Sequence, residues 1–373
     1  GGSAAGGSAA GGSAAGGSAA GGTSAGDGGL VVTDAGVCAS LPFAAPCDDA
    51  IARATTAPAA STWGAPGTFT VTTQTFANPH PRANGPVVVY RPVGQSGVPV
   101  LFFSHAFGAT DPDLYLDLFE MLASQGYAVV YVPYPTLLAA LRPLEERYDV
   151  LFQGFQTAVT TLGATIDTAR VGFFGHSFGA GATPEMARRG FVTQGWGSNG
   201  RFMFIMAPWY SWGRAYGTLP TDVRTVIQVY ADDEVNDHQT AVEDIWNRLP
   251  AGIERAWMTV RSDFCGCGLN ATHTVPMSRV GITMNPENTV NGHDRWVVWR
   301  RLHALAVYAF TQSAQARAVA MGPDTDLGAF LGCGGRPVRP LEVSATTPLP
   351  APCHAYRFPQ SSRCMFADPG PCP

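Results

Sequence analysis

The chain contains no lysine; all 23 of its Lys+Arg positions are arginine. So one-sided a choice is a bias of composition and carries nothing about mechanism. Also missing is any arginine run that could track a phosphate backbone. With a net charge of −5 and a pI near 5.9, there is no basic footprint, which excludes nucleic acid as a partner. No apolar run reaches the roughly 18 residues that a membrane-spanning helix needs. The first residues show no charged-then-apolar export signal, and the expectation is that any such signal has been removed.

What is present suits one large globular core. Of 373 residues, 46% are hydrophobic, enough for a single α/β core of about 250 residues once the tails are discounted. Residues 1–20 are four copies of Gly-Gly-Ser-Ala-Ala. With the glycine-rich stretch to Gly29 they read as a flexible linker spanning roughly 30 Å, a tether to a membrane or wall or else an engineered spacer. Residues 30–66 form a Cys-containing N-terminal segment, residues 67–312 the catalytic domain, and residues 313–373 a Pro/Cys-rich extension. The eight cysteines are Cys38, Cys47, Cys265, Cys267, Cys333, Cys353, Cys364 and Cys372, and none falls in an apolar run. An even count placed in loops and tails implies disulfides and an oxidising, extracytoplasmic compartment. The alternative is reduced thiols or a metal site, for which only Cys265-Gly266-Cys267 is close-set. The pairing stays open, since eight cysteines allow 105 connectivities.

Periodicity sets out the core. Thr68 to Thr75 alternates, and Val87 to Tyr90, Val98 to Phe103, Tyr127 to Val132 and Val171 to Phe174 read as strands. Further strands follow at Phe202 to Met206, Val223 to Ala231 and Ala256 to Arg261. Helical spacing marks Asp113 to Gln125, Tyr148 to Leu162, the stretch to Arg189, the stretch to Leu249, and Arg295 to Phe310. Strands alternating with helices over some 240 residues predict a doubly wound, mostly parallel sheet.

The run at Val171 to Phe174 leads into Gly175-His176-Ser177-Phe178-Gly179. A strand that reverses sharply into a helix strains the central residue, and glycines on either side make room for the turn. The serine hydroxyl is expected to stand exposed above the helix N-terminus. In a chain with 44 glycines about 0.3 such motifs arise by chance, so the surroundings must carry the reading. A serine nucleophile needs an imidazole to take its proton and a carboxylate to orient that imidazole. Past the strand ending at Ala231 stand Asp232, Asp233 and Asp237; past the strand ending at Arg261, a loop holds His273. Serine, acid and histidine thus follow in the order expected of α/β-hydrolases.

Asp233 is the chosen acid, since it begins Asp-x-Val at the strand mouth; Asp232 is expected to face the other side and Asp237 to cap the next helix. His273 is the chosen base, with His293 the alternative at the start of the closing helix. His176 reads as a packed residue beneath the nucleophile, and His80, His303 and His354 as solvated or structural. The oxyanion hole is assigned to the amides of Phe178 and of Phe107, within Ser104-His105-Ala106-Phe107-Gly108. His105 is expected to hold that loop.

The stretch from Val98 to Ala182 resembles the α/β-hydrolase branch that holds cutinases, polyester (PET) hydrolases, chlorophyllase-like enzymes and platelet-activating-factor acetylhydrolases. The resemblance lies in Phe102-Phe103-Ser104-His105-Ala106-Phe107-Gly108, Leu122-Ala123-Ser124-Gln125-Gly126-Tyr127 and Ile166-Asp167-Thr168-Ala169-Arg170-Val171. It extends to Ala207-Pro208-Trp209, where polyester hydrolases place a Trp beside the cleft, and to Asp233-Glu234-Val235, where they place the acid and an apolar wall. Ala106 replaces the usual glycine, Phe178 stands where those enzymes favour Met, and Cys265-Gly266-Cys267 has no counterpart there.

The resemblance implies the α/β-hydrolase fold and a serine carboxylic ester hydrolase working through an acyl-enzyme: Ser177 attacks, His273 relays the proton and Asp233 orients it. Phe107, Phe178, Trp209 and Val235 are expected to wall an open cleft, with Trp209 as core packing the alternative. The expected substrate is an ester, small or polymeric, of the cutinase or polyesterase kind. A lipid ester of the acetylhydrolase or lipase kind is the alternative, and a non-catalytic binding module the remote one. No metal or organic cofactor is required. The expected state is a monomer, secreted or held at the cell surface.

Overall fold

The computed structural model describes residues 45–47, 55–59, 62–136, 144–211, 214–279 and 288–346. The repeat linker, Cys38, His354, Cys353, Cys364 and Cys372 lie outside the described residues. Eight strands follow the apolar runs: β1 Val71–Phe76, β2 Val87–Pro92, β3 Val98–Ser104, β4 Ala128–Tyr131, β5 Ile166–His176, β6 Arg201–Met206, β7 Arg224–Tyr230 and β8 Arg255–Val260. A ninth, β9 Glu342–Ser344, pairs antiparallel on β8.

The sheet order is β1-β2-β4-β3-β5-β6-β7-β8-β9. From β4 through β8 the neighbours are parallel, whereas β2 runs antiparallel to both β1 and β4. This is the α/β-hydrolase sheet. Its connections wind one way from β3 to β4 and the other way from β5 onward, so the switch point lies between the carboxyl ends of β3 and β5. That is where open parallel sheets build their sites.

Both faces of the sheet are covered, which explains strands apolar at every position rather than at alternate ones. The pleat divides β3: Leu101 and Phe103 pack on one side with Leu118, Phe119 and Leu302, while Val100 and Phe102 pack on the other with Tyr148, Phe155 and Met186. The helices supplying those layers are α1 Leu116–Ser124, α2 Leu144–Leu162, α3 Phe178–Arg188 and α4 Arg300–Thr311.

Several boundaries differ from the sequence expectation, each because of pairing or packing. β5 starts at Ile166 rather than Val171, since Ile166 and Asp167 pair with Val98 and Pro99 across an irregularity at Pro99/Val100. The single helix expected up to Leu249 is three short turns, His238–Thr240, Ala241–Ile245 and Trp246–Arg248. A helix to which the sequence reading assigned no element, Ala314–Met321 (α5), buries Ala316, Val319 and Ala320, and β9 follows it. Among the described cysteines, Cys47 pairs with Cys267 and Cys265 with Cys333, so the close-set pair is consumed by two separate disulfides. No helix among the described residues is long and apolar enough to cross a membrane.

Candidate active site

Ser177 occupies the turn between β5 and α3 with φ 57° and ψ −121°, a conformation that L side chains rarely hold. Three backbone bonds over-determine it. The Ser177 amide donates to the Met206 carbonyl at 3.0 Å, and its carbonyl accepts from Gly181 at 3.0 Å and from Trp209 at 2.9 Å. The flanking glycines are steric requirements: a Cβ at Gly175 would stand 2.4 Å from the Gly179 oxygen, and one at Gly179 would stand 2.0 Å from the Ser104 oxygen. Taken as a whole residue Ser177 is 6% exposed, its backbone bonded to β6 and to the Ala207-Pro208-Trp209 turn.

Asp233 and His273 meet. The buried carboxylate takes the His273 Nδ1–H on Oδ2 at 2.9 Å and the amides of Val235 and Asn236 on Oδ1 at 2.8 Å each. Burial by itself raises this carboxyl, but the His273 ring, its hydrogen bond and the Asn236 amide outweigh that and hold it below the ordinary carboxylate range. With an anion on Nδ1, that nitrogen carries the proton and Nε2 offers a lone pair.

The neighbouring acids do other work. Asp232 accepts from the Ser262 hydroxyl and donates its amide to the Ala271 carbonyl at 2.9 Å, so it shapes the loop that carries His273. Asp237 caps the next turn, accepting from the Gln239 amide at 2.9 Å. His293 is buried at the start of the closing helical segment, its pKa pushed down to about 4 by burial.

The loop after β3 is held by aromatic residues. His105 is fully buried and stacks on Tyr134, ring centroids 4.1 Å apart. Its Nδ1–H donates to the Ala106 carbonyl at 2.7 Å, and its Nε2 accepts from the Tyr134 amide at 3.1 Å. Burial lowers its pKa to about 3, so the ring is neutral. Tyr131 donates its hydroxyl to the Ala109 carbonyl at 2.7 Å.

The four expected wall residues separate. Phe107 is 52% and Val235 49% exposed, and Trp209 is half-buried with its ring edge-on to Tyr210. Phe178 is 3% exposed; its ring packs on Tyr134 under the Arg147 guanidinium and meets Phe107 at 6.4 Å. The Phe178 ring therefore belongs to the core beneath the site rather than to an exposed wall. Its amide opens α3.

Two residues passed over in the sequence belong to this constellation. Asn236 is buried and donates its side-chain amide to the carbonyl of Ala207, a residue at φ 45°. Tyr115 bonds the ring of His176. Neither carries a sequence signal, because each acts through a chain segment distant from its own. No protein-family model and no curated protein sequence matches this chain, and its architecture, the nine-stranded sheet in α/β-hydrolase order, points to no particular branch of that fold.

Proposed function

We propose that the protein is a serine carboxylic ester hydrolase that works through an acyl-enzyme. The observation that carries this reading is the Asp233–His273 bond, with the His273 backbone bonded to His176, the residue before Ser177 in the elbow. In the first step His273 Nε2 takes the Ser177 proton as Oγ adds to the ester carbonyl. The amides of Phe107 and Phe178 receive the negative charge that develops on oxygen. Collapse breaks the bond to the alcohol, which leaves with the proton from His273. Water, deprotonated by the same imidazole, then releases the acid and restores the serine. Asp233 stays ionised and steadies the imidazolium.

The exposed apolar side chains of Phe107 and Val235 and the half-buried Trp209 favour bulky acyl or aromatic esters, a cutinase- or polyesterase-like preference. The two disulfides suit an oxidising compartment and secretion or surface display. The test is hydrolysis of p-nitrophenyl esters of increasing chain length, and of a polyester film, by the wild-type protein and by Ser177→Ala. The wild type is expected to turn over and the variant to be silent; equal rates in both would end the reading.

A further inference from the structure

Between the oxyanion loop and the base loop runs a buried chain of hydrogen bonds that the reaction steps do not use. The Ala106 amide donates to the Tyr115 hydroxyl at 3.3 Å, Tyr115 bonds His176 Nδ1 at 3.0 Å, and His176 Nε2 bonds the His273 carbonyl at 2.8 Å. The donor sense follows from chemistry. A carbonyl can only accept, so His176 Nε2 carries the proton and Nδ1 is a bare acceptor; the Tyr115 O–H therefore donates to Nδ1, which leaves its oxygen lone pair for the Ala106 amide. Tyr115 and His176 are both fully buried, so water cannot replace a lost partner.

We infer that Tyr115 and His176 are positioning residues, a buried relay that sets the oxyanion loop and the base loop in register on either side of Ser177. The inference rests on the ester-hydrolase reading of the site. Each end of the relay sits next to a working group. Ala106 precedes Phe107: Tyr115 holds the His105–Ala106 peptide by its N–H and the His105 ring holds the next peptide, Ala106–Phe107, by its carbonyl, so the backbone of Ala106 is gripped on both sides. A planar trans peptide whose carbonyl is anchored has its N–H aimed the opposite way, and that N–H is the Phe107 donor. At the other end the bonded carbonyl is that of His273 itself, so the backbone bearing the imidazole is tied to the residue before the nucleophile. The His176 and His273 rings lie 4.9 Å apart. Its last bond alone joins residues 97 positions apart.

The test compares Tyr115→Phe, His176→Phe, His176→Gln and the Tyr115→Phe/His176→Phe double variant. Turnover is counted per active site by fluorophosphonate titration, so that misfolded protein does not enter the rate. Tyr115→Phe is expected to lower kcat about tenfold and His176→Phe about tenfold to a hundredfold, each with KM nearly unchanged, as for groups that position catalytic residues. His176→Gln keeps a donor for the His273 carbonyl and should recover most of the rate. The double variant should lose no more than His176→Phe alone, because one relay is broken once. Full kcat per site in both Phe variants, or losses that multiply in the double variant, would overturn the relay.

A second measurement does not depend on turnover. The His176 Nε2 proton should give a slowly exchanging NMR resonance whose exchange quickens in Tyr115→Phe; unchanged exchange would also overturn the relay. Absent turnover in the wild type would count against the ester-hydrolase reading, whereas variant-to-wild-type ratios and proton exchange bear on the relay.

Discussion

His105 lies nearly flat on Tyr134, the ring planes 10° apart and the centroids 4.1 Å apart. The pair also exchanges two hydrogen bonds, Tyr134 amide to His105 Nε2 and Tyr134 hydroxyl to the His105 carbonyl at 3.2 Å. Because His105 also grips the Ala106 carbonyl, this stack orients the peptide that presents the Phe107 amide. His105→Phe keeps the stack and loses both ring bonds. It is expected to lower kcat on a p-nitrophenyl ester about a hundredfold, the usual scale for losing an oxyanion donor, with KM little changed. An unaltered kcat would show that the loop holds its shape without the imidazole.

The two adjacent acids should separate cleanly. Asp233→Asn removes the charge that fixes the His273 tautomer and is expected to cost roughly ten-thousandfold in kcat. Asp232→Asn still accepts from Ser262 and should cost about tenfold or less. Steady-state rates of the two variants decide the matter, and equal losses would reassign the acid.

Cys265 and Cys267 tie the segment before His273 to Cys333 and to Cys47. The Cys47–Cys267 bridge closes a separation of 220 residues, so the Cys47→Ala/Cys267→Ala variant should unfold about 2–5 kcal/mol more easily. Dithiothreitol should lower wild-type activity as the base loop loosens. Denaturant melts and rates with and without reductant check both; activity indifferent to full reduction would show that Asp232 and Ser262 hold the loop by themselves.

Buried neutral histidines should make the fold acid-labile. Burial lowers the pKa of His105 to about 3 and those of His293 and His303 to about 4, and it holds His176 well below 6.5. Between those values and 6.5 the unfolded chain binds protons that the folded chain refuses, so stability rises with pH across that window. Their contribution is complete above pH 6.5 and is lost as pH falls toward 4. Asp233, lowered as well, acts in the same direction only below the ordinary Asp value of 3.8. Urea midpoints measured from pH 7.5 to 4.5 should fall steadily; a flat profile would mean that these rings are solvated.

Much of the fold was legible because it is written locally. The all-apolar runs of β3, β4 and β6 announce strands covered on both faces, and the strand-helix alternation predicts the parallel sheet that is found. Boundaries failed where a partner decided them. β5 gains its first residues by pairing with β3, and β9 forms in a tail with no apolar run because β8 offers an open edge. In the site, the glycines around Ser177 were readable from composition and order. That the Phe178 ring faces the core was not, since Tyr134 and Arg147, which enclose it, come from elsewhere in the chain.

The sequence alone determined what depends on neighbours along the chain: which segments become strands and helices, and that Ser177 sits at a strand-to-helix turn only glycines can flank. Tertiary structure decided what depends on the path of the chain. It brought His273 to Asp233 over 40 positions and His176 to the His273 carbonyl over 97. It also selected Cys267 for Cys47 and Cys333 for Cys265. Backbone geometry and hydrophobic period act within a few residues, whereas hydrogen bonds and disulfides act between whichever groups the folded sheet carries within about 3 Å of each other.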